Sequence, residues 1–336
     1  MSSVSPRNAF MIAAIMILVS QSAFVFDSFD VSGLNNDSET TLNNEPGSFE
    51  SGSSGNNLTA SIDGANLSVG QAMTDITFQY NASGSGNGTT WQVADINSGS
   101  GSSQPGSTMK ILVGDTIYFS AMSASSGWEL WAHDTSNSST WLVADIMSGS
   151  ASSSPGSTME ILVGDTIYFS ASDGIDGTEL WAHDTSNSST WQVADISSGT
   201  SSSLPGQLMA ILVGDTLYFS AYDQTSGTEL WAHDTSNSST WQVADINSGS
   251  GASNPGNSME ILVGDTIYFS ADDGISGTEL WAHDTSNSST WQVADIRGGT
   301  GSSSPGLHME ILVGDTLYFS AYDQTSGTEL WAHDTS

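Results

Sequence analysis

The sequence predicts an all-β fold, a β-propeller of four-stranded blades, and three observations carry that expectation. A 50-residue unit repeats in register: ILVGDT recurs at Ile111, Ile161, Ile211, Ile261 and Ile311, ELW begins at Glu129, Glu179, Glu229, Glu279 and Glu329, and VADI begins at Val93, Val143, Val193, Val243 and Val293. The unit is built of short apolar runs without the 3.6-residue period of helical repeats, which favours a propeller among repeat folds. Apolar residues also fall on both faces of the predicted strands, as a blade sandwiched between two others requires.

One unit illustrates the elements. Residues 159–163 form the first strand and Gly164-Asp165 a two-residue turn, since glycine takes positive φ there. Residues 166–171 (TIYFSA) return, residues 179–183 (ELWAH) form the third strand, and residues 190–196 (TWQVADI) the fourth. Ile167 and Phe169 alternate with Tyr168, and Leu180 with Trp181. The repeat region opens on a lone fourth strand, residues 90–96, and stops after a third strand, residues 329–333. The expectation is five blades, with residues 90–96 completing the last one and removing the free sheet edges. A larger blade number follows if Ser336 is not the natural end.

Gly177-Thr178-Glu179-Leu180-Trp181-Ala182-His183-Asp184, preceded by Tyr168-Phe169-Ser170-Ala171 and Asp173-Gly174, resembles the ELWxxDGT repeat of secreted bacterial and marine archaeal surface proteins. Thr185-Ser186 departs from the Gly-Thr of that pattern. The resemblance covers residues 90–336 and implies an extracellular β-propeller, without implying a reaction. Residues 57–89 form a short β segment, with Ile76, Phe78 and Tyr80 on one strand face, similar to the start of immunoglobulin-like modules.

The N-terminal region argues for export. In residues 1–26, Arg7 precedes an unbroken apolar run over residues 9–19, and a second apolar patch follows. That is the pattern of a secretory signal, and read through residue 26 it is about 27 Å of helix, near the length of a membrane anchor. Both readings place the rest of the chain outside the cell. Residues 27–56 are rich in Asn, Ser, Gly, Asp and Glu and read as a flexible stalk.

Composition narrows the partners. The chain has 336 residues, 37 acidic and 3 basic side chains, a net charge of −34 and no cysteine. Nucleic-acid binding, polybasic membrane attachment, thiol chemistry and disulfides are set aside, leaving membrane contact to the N-terminal segment. The partner classes that remain are a glycan or a cell-surface protein.

Differences between the copies locate a candidate working face. They cluster in the loop between second and third strands and in the linker from each fourth strand to the next first strand, which an up-and-down blade places at one end. Trp128, Tyr222 and Tyr322, with Asp223 and Asp323, are the candidate ligand contacts on that face. Asp173, Asp176 and Glu179, with Asp272, Asp273 and Glu279, are a candidate oxygen-ligand set for Ca2+, weighed against plain turn formation. The opposite end carries glycosylation sequons at Asn137, Asn187, Asn237 and Asn287. Lys110, Trp128, Arg297 and His308 are the main unique side chains, and ring closure would gather them. No unequal pair of carboxylates stands out, so no catalytic residue is nominated and a non-enzymatic binding or adhesion module is expected. A calcium-dependent carbohydrate-active enzyme and a structural surface coat are the alternatives.

Overall fold

The computed structural model describes residues 90–336 and the backbone of two short strands, β1 (Gly55–Leu58) and β2 (Tyr80–Ala82), which pair antiparallel. The predicted leader, the stalk before β1, and Ile76 and Phe78 lie outside the described residues. By its contacts the chain divides into Met1–Trp91 and Gln92–Ser336.

Every described element is a strand. The first blade is β3 (Lys110–Val113), β4 (Thr116–Ser123), β5 (Gly127–Asp134) and β6 (Ser139–Ala144). The second is β7 (Glu160–Val163), β8 (Thr166–Ser172), β9 (Thr178–Asp184) and β10 (Ser189–Ala194). The third is β11 (Ala210–Val213), β12 (Thr216–Asp223), β13 (Gly227–Asp234) and β14 (Ser239–Ala244). The fourth is β15 (Glu260–Val263), β16 (Thr266–Asp272), β17 (Thr278–Asp284) and β18 (Ser289–Ala294). The last sheet has three strands, β19 (Glu310–Val313), β20 (Thr316–Asp323) and β21 (Gly327–Asp334). Each is an antiparallel meander in chain order, the up-and-down pattern that tight Gly-Asp turns impose.

Strand alternation gives each blade two apolar faces. In the second blade Ile167, Phe169 and Ala171 point back against Met109, Tyr118, Leu130 and Ala132 of the first. Met159, Tyr168, Leu180 and Ala182 point forward onto Leu217, Phe219 and Ala221 of the third. The same set recurs at the remaining seams. Burial of each large apolar side chain contributes about 1.5–3 kcal/mol, so the blades hold by face-to-face packing. The ELWAH histidines His183, His233, His283 and His333 join the seams, with His183 5.2 Å from Tyr118 and His333 5.2 Å from Tyr268 between ring centres.

The expected closure is not present. Residues 90–96 form no strand, Trp91 and Val93 are 71% and 53% exposed, and among the described residues β21 has a strand partner on one side only. Leu280 is 1% exposed, whereas Leu330, one repeat later, is 65% exposed. Each observed seam joins consecutive blades through a short linker, whereas residues 90–96 would have to find a strand at the far end of the repeat region with no linker holding them there.

Candidate functional site

The structure brings the two variable loop families together. The backbone N–H of Met122, Ser172, Tyr222 and Tyr322 donates to the carbonyl of Ser103, Ser153, Ser203 and Ser303, at 2.8–3.0 Å, so each linker lies along the end of a second strand. At the other end Thr135 N–H donates to the Asp115 carbonyl (2.9 Å), placing the Gly-Asp turns beside the sequon loops. Asn137 and its counterparts Asn187, Asn237 and Asn287 are exposed there. The Nδ2 of Asn137 donates to Asp134 (2.6 Å) while its Oδ1 accepts from Ser139 N–H (2.9 Å), which organises the turn.

Most of the predicted acidic ligands turn their own loops. Asp323 accepts from the N–H and hydroxyl groups of Thr325 and Ser326 at 2.6–2.8 Å, and Asp223 from the same groups of Thr225 and Ser226. The bonds from Thr325 and Ser326 hold the Asp323 carboxyl well below the usual range. Asp173 accepts from Ile175 and Asp176 N–H, Asp272 from Gly274 N–H, and Asp273 from Ile275 and Ser276 N–H.

Glu179 and Glu279 do not join these aspartates. Both are fully buried. Glu179 accepts from Ile196 N–H (2.8 Å), Ser203 N–H (2.9 Å) and the Ser203 hydroxyl (2.6 Å), and Glu279 accepts from Ile296 and Ser303 in the same way. The predicted metal set is therefore not assembled, and among the described residues no three acidic or imidazole groups converge on one point. Instead, Glu129, Glu179, Glu229 and Glu279 tie each third strand to the linker that leads into the next blade. Burial pushes Glu179 up to about 7, outweighing those hydrogen bonds. Sequence reasoning missed this role, although the pairing of Glu129, Glu179, Glu229 and Glu279 with a serine 24 residues later was visible.

Arg297, His308 and Tyr322 do come together, with Ser302, Ser303, Ser304, Leu307 and Thr328, around an open pocket of about 390 Å³. The Arg297 guanidinium lies 4.9 Å over the centre of the Tyr322 ring, which is 37% exposed. This cation–π contact holds a cation and an aromatic edge at the mouth of one site. Tyr222 is equally exposed, but Ser197 stands where Arg297 does, so its loop lacks the cation. Trp128 is half-buried and lines a smaller hollow of about 190 Å³ with Ser107, Thr108 and Ser154. Lys110 and Trp128 do not reach the Arg297 pocket, because the closure that would gather them is absent.

No family model matches the chain and no curated protein matches it. Among solved structures it is similar to puromycin hydrolase (15% identity, TM-score 0.41), covering 68% of this chain and 35% of that one. It is also similar to BamB from Moraxella catarrhalis (16%, TM-score 0.35, 66% and 58% covered) and to a putative TolB from Agrobacterium tumefaciens (13%, TM-score 0.33, 66% and 73% covered). The chain thus spans about a third of the puromycin hydrolase and little over half of BamB.

Proposed function

We propose that this chain is an extracellular, non-enzymatic binding or adhesion module that recognises glycans on its variable-loop face. The observation that carries this reading is the Arg297–Tyr322 pocket, formed where both variable loop families meet and where one repeat departs from the others. An aromatic ring offers a face for a sugar ring to stack on, the serine and threonine hydroxyls and His308 offer hydrogen bonds, and Arg297 favours an acidic sugar. No carboxylate lines the pocket, so the pair of acids that glycoside hydrolysis uses is not at hand. Weak related sites on the other blades would add avidity through effective concentration. The export pattern of residues 1–26 and the exposed sequons support an extracellular location.

The test is a glycan array of neutral and uronic- or sialic-acid sugars, probed with the full chain and with Arg297→Ala. Binding of acidic sugars that falls about tenfold or more in the variant, with no released product by chromatography, is the expected result. Sugar cleavage would overturn the non-enzymatic reading, and no sugar binding at all would redirect the search to a protein partner.

A further inference from the structure

In each of the first four blades the sequon turn and an outer-strand tryptophan lie on one sheet face. Asn137, Asn187, Asn237 and Asn287 are exposed, each with a serine two residues later, as N-glycosylation requires. In the second blade Ser189 pairs with Asp184 and Trp191 with Ala182, so these four side chains share the face that Ala182 packs forward onto the third blade. The Asn187 amide is held over that face. Its Nδ2 donates to Asp184 Oδ2 (2.5 Å), and its Oδ1 accepts from the Ser189 N–H (2.9 Å) and hydroxyl (2.5 Å). Trp191 is the next side chain after Ser189 on that face, about 7 Å along the strand. It is 39% exposed, and Trp141, Trp241 and Trp291 match it at 39%, 39% and 40%.

We infer that Asn137, Asn187, Asn237 and Asn287 carry N-linked glycans whose first sugar ring packs on Trp141, Trp191, Trp241 and Trp291 respectively. The inference rests on the extracellular part of the proposed function, because such glycans are added on export, and it is independent of recognition at the Arg297 pocket. The asparagine amide has two protons, and the fold uses one of them on Asp184. Attachment replaces the other. A bond forms between Nδ2 and the anomeric carbon of a lipid-phosphate-linked sugar donor, the bond from that carbon to the phosphate oxygen breaks, the phosphate leaves with the electron pair, and the amide proton goes to solvent. The contact with Asp184 survives the change. So short a tether gives the sugar an effective concentration in the mM range beside the indole, which populates even a weak stack of sugar C–H groups on the aromatic face. The cover falls where it is needed. Among the described residues β6, β10, β14 and β18 stand last in their four-stranded sheets, and an exposed aromatic on a free edge strand is a template for association that a bulky sugar blocks.

Cleavage after tryptophan releases the same decapeptide, AHDTSNSSTW, from all four blades, so one mass reports the summed occupancy of the four sites. The full chain is purified from the cells that produce it, with the compartment recorded, and digested. The expected result is that most of the decapeptide carries sugar. A chain recovered outside the cell with the decapeptide unmodified would overturn the inference and leave the location standing, whereas an unmodified chain found inside the cell would overturn both. Packing is read separately. The full chain is secreted from a eukaryotic host fed 13C-glucose and trimmed by endoglycosidase to a single N-acetylglucosamine at each occupied site. A set of sugar C–H resonances is expected upfield of those of free glycosylated asparagine, through the indole ring current. That shift is expected to vanish when Trp141→Thr, Trp191→Thr, Trp241→Thr and Trp291→Thr are combined, with circular dichroism as the check on folding. Sugar resonances all at the free positions in the unsubstituted chain would overturn the packing whether or not the variant folds.

Discussion

Glu179 and Ser203 share a single serine proton that faces two acceptors. The Ser203 hydroxyl lies 2.6 Å from Oε2 of Glu179 and 3.3 Å from the carbonyl oxygen of Thr178. With an ionised glutamate one of the two contacts goes without a proton. With a neutral glutamic acid the carboxyl donates to Ser203, Ser203 donates to Thr178, and both carboxyl oxygens still accept from backbone N–H groups. Burial favours the same neutral form.

Glutamine cannot replace this acid. The Ser203 and Ile196 N–H groups point at different carboxyl oxygens, so an amide would set its NH2 against one of them. Glu179→Gln is expected to lower stability by about 1–3 kcal/mol, the cost of a buried unsatisfied donor. Glu329→Gln, at the exposed equivalent position in the last blade, is expected to stay within about 0.5 kcal/mol of wild type. Urea midpoints of the two variants check this, and equal losses would remove the linker contact as the cause.

The seams respond to pH in two opposite directions. Burial holds His183 below its ordinary value of 6.5, so the native state binds fewer protons than the unfolded chain. The stability it carries is full above that value and is lost as pH falls below it. Glu179, raised from 4.5 to about 7, contributes fully below its ordinary value and loses its contribution as pH rises through 7. Going from pH ~7.5 to ~5.5, the penalty of His183→Asn relative to wild type is expected to shrink while that of Glu179→Gln grows. Denaturant titrations at both pH values decide it, and parallel trends would refute the assignment.

Strand order and register were legible because alternation is a local property. The segment expected at residues 166–171 is observed as Thr166–Ser172, and that at 179–183 as Thr178–Asp184. Closure was not legible, because a sequence match between residues 90–96 and a fourth strand says which edge they fit, not whether the chain brings them to it. The role of Glu179 was hidden because a glutamate beside Asp173 and Asp176 in sequence looks like a ligand, whereas strand geometry sends it to the linker. The position after VADI was similarly informative and under-read. Asn97 Oδ1 accepts from the loop N–H of Ala124, and Arg297 covers Tyr322, so this column meets the loop in the first and last blades.

The charge imbalance predicts a salt response. The net charge is −34, and only Lys110 and Arg297 carry positive charge among the described residues. Repulsion among the carboxylates is screened over about 10 Å at 0.1 M salt and about 3 Å at 1 M. The melting temperature is expected to climb by several degrees from ~0.01 to ~1 M NaCl. A chelator at fixed ionic strength is expected to leave it unchanged, since Asp173, Asp272, Asp273, Glu179 and Glu279 already accept from backbone amides. Calorimetry across both series tests the pair, and a fall on chelation alone would point to a bound cation.

The glycines of the GTEL segments at Gly177, Gly227 and Gly277 are fixed by the neighbouring linker rather than by the turn alone. Gly177 has φ +79°, and a Cβ there would fall 2.6 Å from the Ser201 carbonyl carbon, against backbone that cannot swing aside. Gly164 in the Gly-Asp turn also has positive φ (+58°), but a Cβ there meets nothing within 4 Å. Both substitutions to alanine carry the left-handed backbone cost of about 1–2 kcal/mol. Only Gly177→Ala adds a clash that must push the linker off the third strand, breaking the Ser203–Glu179 bonds with it. Gly164→Ala is therefore expected to lose about 1–2 kcal/mol and Gly177→Ala about 3 kcal/mol or more. Hydrogen exchange separates the causes. Ser203 and Ile196 amides should lose protection in Gly177→Ala and keep it in Gly164→Ala, and equal protection in both would mean the linker yields without strain.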